Sequence, residues 1–511
     1  MRFVCEQVSD VYCCCKTDFG HNYSGFCHGK GARQRVTSVI MDDETQKLNL
    51  KREVGLVGAV SLIGGTMIGS GIFISPQTYV LSAIGSPGAS LLVWTFCGLI
   101  AMMGGLCYAE LGTVIAESGG EFIYILRTAG KVMAFVFSFS FIIVMRPASA
   151  TGVALSFAEY VVAPFYSGCT PSQLVVKFVA AVAILLLTLV NCLSVRLASG
   201  IQVVSMAIKL LALAVIILGG VVMLFQGHTK NFDNSFEGTN VDTSSIGIAF
   251  YQGMWSYGGW NTLNFLTEEL KHPEVNLPRA VVIAISLVTG LYLLVNVSYL
   301  TVMTPEELMS SSAVAVTWGN KMLGRWGWIM SVAAALSAFG SLNGTFFSGG
   351  RLCFVAAREG HLVSPDILAM AHVRRLTPSP ALIFTTVVSL LVLIPGDFQS
   401  IVNYFSFTAW FFYGITLSGL LYLKIKKPEL PRPYKVPIIL PILVIIVAIF
   451  LVLAPIIDDP HIEYLYVTLF IISGAIVYIP FIHYKLCPGL LTKLTVILQL
   501  FLEVAPTEKN L

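Results

Sequence analysis

The sequence has little charge for its length. Asp, Glu, Lys and Arg make up only 12% of the 511 residues, whereas 56% are hydrophobic and the mean hydropathy is +0.80. Soluble domains carry about 25% charged residues, so this composition excludes a soluble globular protein. GxSxG and HExxH motifs are also absent and the eight histidines are scattered. We therefore expect no enzyme, no cofactor, no metal site and no nucleic-acid binding.

Long apolar stretches dominate the chain instead. A helix needs roughly 20 apolar residues to cross a bilayer, and about twelve such stretches follow one another with short connections. They cover 54–82, 89–115, 132–160, 172–193, 202–226, 244–270, 278–303, 326–357, 379–395, 399–423, 436–456 and 464–484. The sequence therefore predicts an all-α polytopic membrane protein of about 12 transmembrane helices at 51–485, with tails at 1–50 and 486–511.

The basic residues fall mainly on one side of these helices. The N-terminal flank and every second connection contain Lys47, Lys51, Arg52, Arg127, Lys131, Arg196, Lys271, Arg279, Arg374, Arg375, Lys424, Lys426, Lys427, Arg432 and Lys435. The other connections contain only Lys230, Lys321 and Arg325. Because cytoplasmic loops are enriched in Lys and Arg, we expect both termini in the cytoplasm of a plasma-membrane protein.

The N-terminal tail contains no apolar core of a signal peptide within its first forty residues. It does contain a Cys13-Cys14-Cys15 run near His21 and His28, which is compatible with metal binding or palmitoylation. The spacing matches no zinc motif, so a reduced, disordered tail is the interpretation we favour. Met41 opens a more ordinary acidic stretch and is a candidate alternative start.

Cys169 lies in the connection 161–171, which the charge bias places outside the cell, and it is the only cysteine that we can place there. A lone thiol in an oxidising compartment indicates an intermolecular disulfide and hence a partner chain. A free loop cysteine is the alternative.

Two glycine clusters interrupt the helical pattern at similar depth in the first and sixth stretches: Gly64–Ile72 and Gly253–Asn261. Glycines in membrane helices also allow close packing, so one cluster alone leaves both interpretations open. Matching clusters in two halves of five helices, however, indicate the substrate site of an inverted-repeat transporter.

Such breaks expose helix-end amides to an anion and helix-end carbonyls to a cation. A zwitterionic amino acid presents both charges. We expect its carboxylate near the amides of Ser70, Gly71 and Ile72, and its ammonium near the carbonyls of Thr66, Met67 and Trp255.

Ionisable residues at membrane depth need a partner or a function. Lys209 in the fifth stretch either snorkels to the cytoplasmic face or occupies the place where sodium-coupled transporters of this architecture hold an ion. Arg146, followed by Pro147, is also deep and is a candidate for the inner vestibule. For Glu110, Glu159, Glu268 and Glu269 we expect solvated or structural salt-bridge roles near helix ends.

Several motifs together resemble the light-chain subunits of heteromeric amino-acid transporters, in the amino acid, polyamine and organocation superfamily. They are GTMIGSGIF, YAELGT from Tyr108, SGGEF from Ser118, Arg146-Pro147, SYGGWN with TEEL, NLPRA from Asn276 and AREGHL from Ala357. NFDNSFEG, SVRL, VRRLTP and NYFSF are most similar to the cystine and dibasic amino-acid exchanger branch. The resemblance covers about Lys51 to Val504.

This resemblance implies a LeuT-like fold of five plus five helices, with broken helices 1 and 6. It also implies sodium-independent exchange and a disulfide from Cys169 to a single-span, glycosylated heavy chain. Lys209 would then replace a sodium ion.

One departure from that branch bears on specificity. Gly258 stands where the dibasic exchangers have an aspartate, which removes the partner of a cationic side chain. Together with aromatic neighbours, among them Phe407, this predicts large neutral, aromatic substrates. The predicted substrate site consists of Thr66, Met67, Ile68, Gly69, Ser70, Gly71, Trp255, Ser256, Tyr257, Gly258, Asn261, Phe405 and Trp410. A cystine and dibasic exchanger is the alternative, and a channel is a more remote one.

Overall fold

The computed structural model describes residues 3–8, 11–16, 25–27, 54–75, 80–166, 171–311, 313–358, 370–372, 377–457, 462–479 and 504–506. The chain divides into two compact units, Met1–Lys51 with Lys509–Leu511, and Arg52–Glu508. In the first unit, β1 (Phe3–Val8), β2 (Val11–Lys16) and β3 (Gly25–Cys27) form an antiparallel sheet in that order. The expectation for the whole tail at 1–50 stays a prediction, because most of the tail lies outside the described residues.

The second unit is helical and contains every one of the twelve predicted apolar stretches. We number the helices that correspond to these stretches as spans 1 to 12. Span 1 is Leu56–Met67 with Gly71–Ser75, span 2 Pro87–Val114, span 3 Lys131–Val162, span 4 Gln173–Leu193, span 5 Val195–Phe225 and span 6 Thr243–Ser256. Span 7 is Pro273–Val302, span 8 Trp328–Arg358, span 9 Ser379–Leu393, span 10 Phe398–Lys426, span 11 Ile439–Ile457 and span 12 Ile462–Tyr478.

Short elements connect the spans. The helices are Ser82–Ile84, Glu121–Thr128, Pro305–Ser310 and Val314–Leu323, and the 3-10 segments are Ala163–Phe165, Lys230–Phe232, Thr262–Glu269 and Gly324–Trp326. Within span 3, Phe141–Met145 is π-helical. Strands β4 (Met370–His372) and β5 (Val504–Pro506) pair in antiparallel orientation.

Length and composition allow these helices to cross a membrane. Among the described residues, seven helices are long and apolar enough to span a bilayer, and four more are shorter and apolar. Large apolar side chains on their outer faces are exposed, for example Leu211 at 67% and Ile446 at 56%. A surface of this kind suits lipid rather than water.

Spans 1–5 and 6–10 form two halves, and the first helix of each half is broken. Since five spans cross a membrane an odd number of times, the second half has the opposite orientation to the first. Corresponding helices pack together: span 2 against span 7, and span 3 against span 8. The polytopic fold with broken spans 1 and 6 is therefore confirmed.

Candidate substrate-binding site

The break in span 1 covers three residues. Span 1 stops at Met67, Ile68 turns away from helical geometry with ψ 85°, and the helix resumes at Gly71. A Cβ on Gly71 would lie 2.5 Å from the Ser256 hydroxyl oxygen and 2.6 Å from the Ser256 Cα. Only glycine therefore allows the resumed helix to pack against the end of span 6.

The break in span 6 meets span 1 from the other side. Gly259 has φ +103°, and its Cβ would lie 2.7 Å from the Thr66 hydroxyl oxygen. The Thr262 hydroxyl donates to that oxygen over 3.3 Å, and the Thr66 hydroxyl itself lies 2.9 Å from the carbonyls of Leu62 and Ile63. The two breaks are thus in direct contact, as their matching depths in the sequence suggested.

Tyr292 of span 7 holds the two broken ends together. Its buried hydroxyl lies 2.6 Å from the Met67 carbonyl and 2.8 Å from the Ser256 carbonyl, the last residue of each half-helix. A tyrosine has one proton to donate, so it bonds one carbonyl at a time or shares the proton between them. Sequence reasoning missed Tyr292, because a tyrosine in an apolar span carries no local signal for this contact.

A cavity of about 170 Å³ lies at the two breaks. Ten of the thirteen predicted site residues line it: Thr66, Met67, Gly69, Ser70, Gly71, Trp255, Gly258, Asn261, Phe405 and Trp410.

The structure places the other three predicted residues outside the cavity lining. Ile68 is 1% exposed and belongs to the apolar core, Ser256 packs against Gly71, and the Tyr257 hydroxyl donates to the Trp94 carbonyl over 3.1 Å. Phe407 likewise packs against Tyr464 rather than lining the cavity.

Aromatic rings form much of the cavity wall. Besides Trp255, Phe405 and Trp410, the lining includes Phe137, Phe141, Trp260, Phe265, Phe412 and Tyr413. Trp255 contacts Phe405 edge to face, with ring centres 5.3 Å apart. Such a wall favours flat apolar groups.

Two charged residues also line the cavity. Glu121, at the start of the short helix before span 3, is 2% exposed and accepts a hydrogen bond from the Asn261 side-chain amide. Arg146 donates to the Thr345 carbonyl over 3.4 Å, and its guanidinium carbon lies 4.8 Å from the centre of the Phe141 ring. The sequence drew attention to Arg146 as a deep charge, but Glu121 was seen only as part of the SGGEF motif.

Lys209 lies where spans 5, 1 and 8 meet. Its ammonium donates to the Gly65 carbonyl over 3.2 Å and to the Ser341 hydroxyl over 2.9 Å, and the residue is 1% exposed. The side chain therefore points between the helices, towards the break in span 1, and not towards a surface.

Glu110 belongs to a separate, buried charge cluster. Its carboxylate lies 2.6 Å from the Lys424 ammonium and 3.3 Å from the Arg432 Nε, and it accepts a bond from the Val436 amide over 2.8 Å. Glu110 is fully buried. Of the two roles expected for it, the structure shows the structural salt bridge, which joins span 2 to the end of span 10 and to the loop after it.

Cys169, predicted as the site of an interchain disulfide, lies outside the described residues.

Two broken helices in direct contact around a cavity define a polytopic membrane transporter of the inverted-repeat type. Residues 54–479 match the family model described as amino acid permease. The relatives include b(0,+)-type amino acid transporter 1 from Homo sapiens, 49% identical over 484 residues, which cover 94% of this chain and 99% of the relative. Large neutral amino acids transporter small subunit 2 from Mus musculus is 45% identical over 416 residues, 80% of this chain and 77% of the relative.

The chain belongs to the amino acid permease family. The prediction that the protein is an amino-acid carrier rather than an enzyme is thereby confirmed.

Proposed function

We propose that the protein is a sodium-independent, obligatory exchanger of large neutral L-amino acids, with a preference for aromatic side chains. It works as the light chain of a disulfide-linked heterodimer in the plasma membrane, with both termini in the cytoplasm. The aromatic lining of the cavity around Gly258 is the observation that carries this proposal.

Gly258 leaves room where a side chain would enter the cavity. Of the atoms in the described residues, a Cβ built on it meets only the Trp255 carbonyl oxygen within 4 Å, at 3.0 Å. Among the residues that the structure describes, the charged side chains of the lining are Glu121 and Arg146, which have opposite sign, so this described lining carries no net formal charge. A positive charge on the substrate's side chain, in addition to its α-ammonium, therefore gains little binding energy. An aromatic side chain, in contrast, has ring faces to pack against.

The helix ends at the breaks supply the contacts for the amino-acid head group. The carboxylate binds at the amides that begin the second half of span 1, at Gly71, and the ammonium binds at the carbonyls near Thr66. The Met67 carbonyl already accepts from Tyr292. A carbonyl oxygen has two lone pairs, so an ammonium shares this one with the tyrosine.

The ammonium of Lys209 supports transport without sodium. It bonds to spans 1 and 8 beside the break, where a bound cation would otherwise join the same helices. A fixed charge there braces the helices permanently, so the transport cycle needs no ion to close the site.

A heavy-chain partner is supported by the isolated Cys169 and by the relative whose name identifies it as a small subunit. The excess of Lys and Arg in alternate connections supports cytoplasmic termini.

A cystine and dibasic amino-acid exchanger is the second candidate. Glu121 favours it, because a buried carboxylate in the cavity wall offers a cationic side chain a partner.

Counterflow in proteoliposomes tests the proposal. Vesicles that contain the chain and a heavy chain are loaded with unlabelled tyrosine, and uptake of labelled tyrosine, phenylalanine, leucine, arginine and cystine is compared, with choline replacing sodium in a parallel set. We expect tyrosine and phenylalanine to be exchanged fastest, equally in both salts. Faster exchange of arginine or cystine would support the second candidate, and uptake that requires sodium would refute the proposed mechanism.

A further inference from the structure

The substrate cavity contains two opposite charges that do not pair with each other. Glu121 and Arg146 both line it, yet neither forms an ion pair within 4.0 Å with any residue that the structure describes. Opposite charges at membrane depth normally pair or serve a function. Their separation within one cavity therefore calls for a ligand that satisfies both.

Each of the two side chains also has an unsatisfied polar atom. Glu121 Oε1 accepts from Asn261, but the buried Oε2 has no hydrogen-bond partner among the residues that the structure describes. On Arg146, Nη1 donates to Thr345, but the buried Nε has no partner in that part of the chain. Buried polar atoms without partners are costly, and both of these atoms belong to side chains that line the cavity.

Glu121 also lies close to the proposed head-group contacts. Asn261, which binds Glu121, follows two residues after Gly259, and Gly259 packs on the Thr66 side chain. A head group that leaves the breaks thus reaches Glu121 without leaving the cavity.

We propose that Glu121 and Arg146 form a second position for the α-ammonium and the α-carboxylate of the transported amino acid, which the substrate occupies in transit. The ammonium donates to Glu121 and the carboxylate accepts from Arg146, so the zwitterion bridges the two charges. This position and the one at the breaks belong to the same cavity and are occupied in succession. The inference rests on the proposed function only in that the substrate is an α-amino acid zwitterion.

The kinetic signature of a transit position is a loss of rate with little loss of affinity. Removing one partner leaves the substrate head group short of one charged contact as it moves, while the head-group contacts at the breaks are unchanged. We expect Glu121→Gln and Arg146→Gln each to lower the maximal rate of tyrosine exchange about tenfold or more, since a hydrogen bond to a charged group corresponds to at least that factor. The half-saturating tyrosine concentration should change less than twofold.

The experiment measures initial exchange rates against tyrosine concentration in proteoliposomes, scaled to the amount of monodisperse protein. Glu117→Gln is the matched control, since Glu117 forms an exposed ion pair with Arg127 of the same short helix. It should behave as wild type.

Unchanged maximal rates in both variants would overturn the proposal. So would a half-saturating concentration that rises tenfold or more, because the two residues would then belong to the main head-group site. If Glu121→Gln fails to fold, Arg146→Lys provides a second test, because lysine keeps the positive charge. The maximal rate of Arg146→Lys should exceed that of Arg146→Gln several-fold. Equal rates of these two variants would exclude a role of the charge. Each rate is expressed as a ratio to the wild-type rate. If the wild-type protein prefers another amino acid to tyrosine, the proposed specificity is contradicted, but this test is unaffected.

Discussion

Replacing Gly258 by aspartate is the most direct perturbation of substrate choice. Gly258 lines the cavity, and its φ angle is outside the left-handed region, unlike that of Gly259. The new Cβ lies 3.0 Å from the Trp255 carbonyl oxygen, so a shift of a few tenths of an ångström admits the side chain. The change adds a carboxylate to a wall that otherwise carries opposite charges on Glu121 and Arg146.

The expected effect follows from the charge balance. A carboxylate and a cationic group about 4 Å apart attract by about 4 kcal/mol at an effective dielectric constant of about 20. The cost of desolvating both groups offsets part of this attraction, and so does the positive charge of Arg146. We therefore expect a net gain of about 1.4–3 kcal/mol in the binding of a cationic side chain. That gain corresponds to a rise of about 10- to 150-fold in the uptake of arginine relative to tyrosine.

The assay is competition between labelled arginine and labelled tyrosine in cells that co-express a heavy chain, with surface abundance measured in parallel. Gly258→Asn is the matched control, because it adds nearly the same volume without the charge, and it should not raise the ratio. If Gly258→Asp reaches the surface and prefers tyrosine by the original margin, Gly258 does not face the substrate side chain and the pocket assignment is wrong.

Three further changes test other parts of the molecule. Cys169→Ser should abolish the high-molecular-weight species seen on a nonreducing gel of cells with a heavy chain, and an unchanged band would exclude this cysteine as the link. Lys209→Ala should lower exchange at least tenfold without making it sodium-dependent, since two charge-assisted hydrogen bonds beside the break are lost; normal exchange would rule out the bracing role. Glu110→Gln should destabilise the protein by about 3–5 kcal/mol, because it leaves Lys424 buried without its partner. Thermal unfolding in detergent measures the loss of stability. The control is Glu307→Gln, which removes an exposed ion pair that contributes about 0–1 kcal/mol. Equal melting temperatures of the two variants would contradict the argument.

Local features of the sequence were sufficient for the overall architecture. A transmembrane helix is a continuous run of apolar residues, so each of the twelve stretches is visible without knowledge of its neighbours. The breaks at Gly64–Ile72 and Gly253–Asn261 were equally visible, because glycine at those positions removes the Cβ that the close contact excludes. The family resemblance then followed from motifs in these segments and in the connections between them.

Which side chains face the cavity was decided only by the tertiary structure. At a break the backbone leaves the helical repeat, so no periodicity indicates the direction of a side chain, and Ile68 and Tyr257 turn away from the cavity that their neighbours line.

The contacts that complete the site join residues far apart in the chain. Asn261 bonds Glu121 across 140 residues, and Tyr292 reaches Met67 across 225. The sequence determined that the protein has about twelve apolar stretches, two of them interrupted by glycines, and a deep lysine and arginine. Only the packing of those helices against one another brought Glu121 and Arg146 to one cavity and Tyr292 to the breaks. Hydrogen bonds and charge contacts depend on distances in space that the order of residues does not contain.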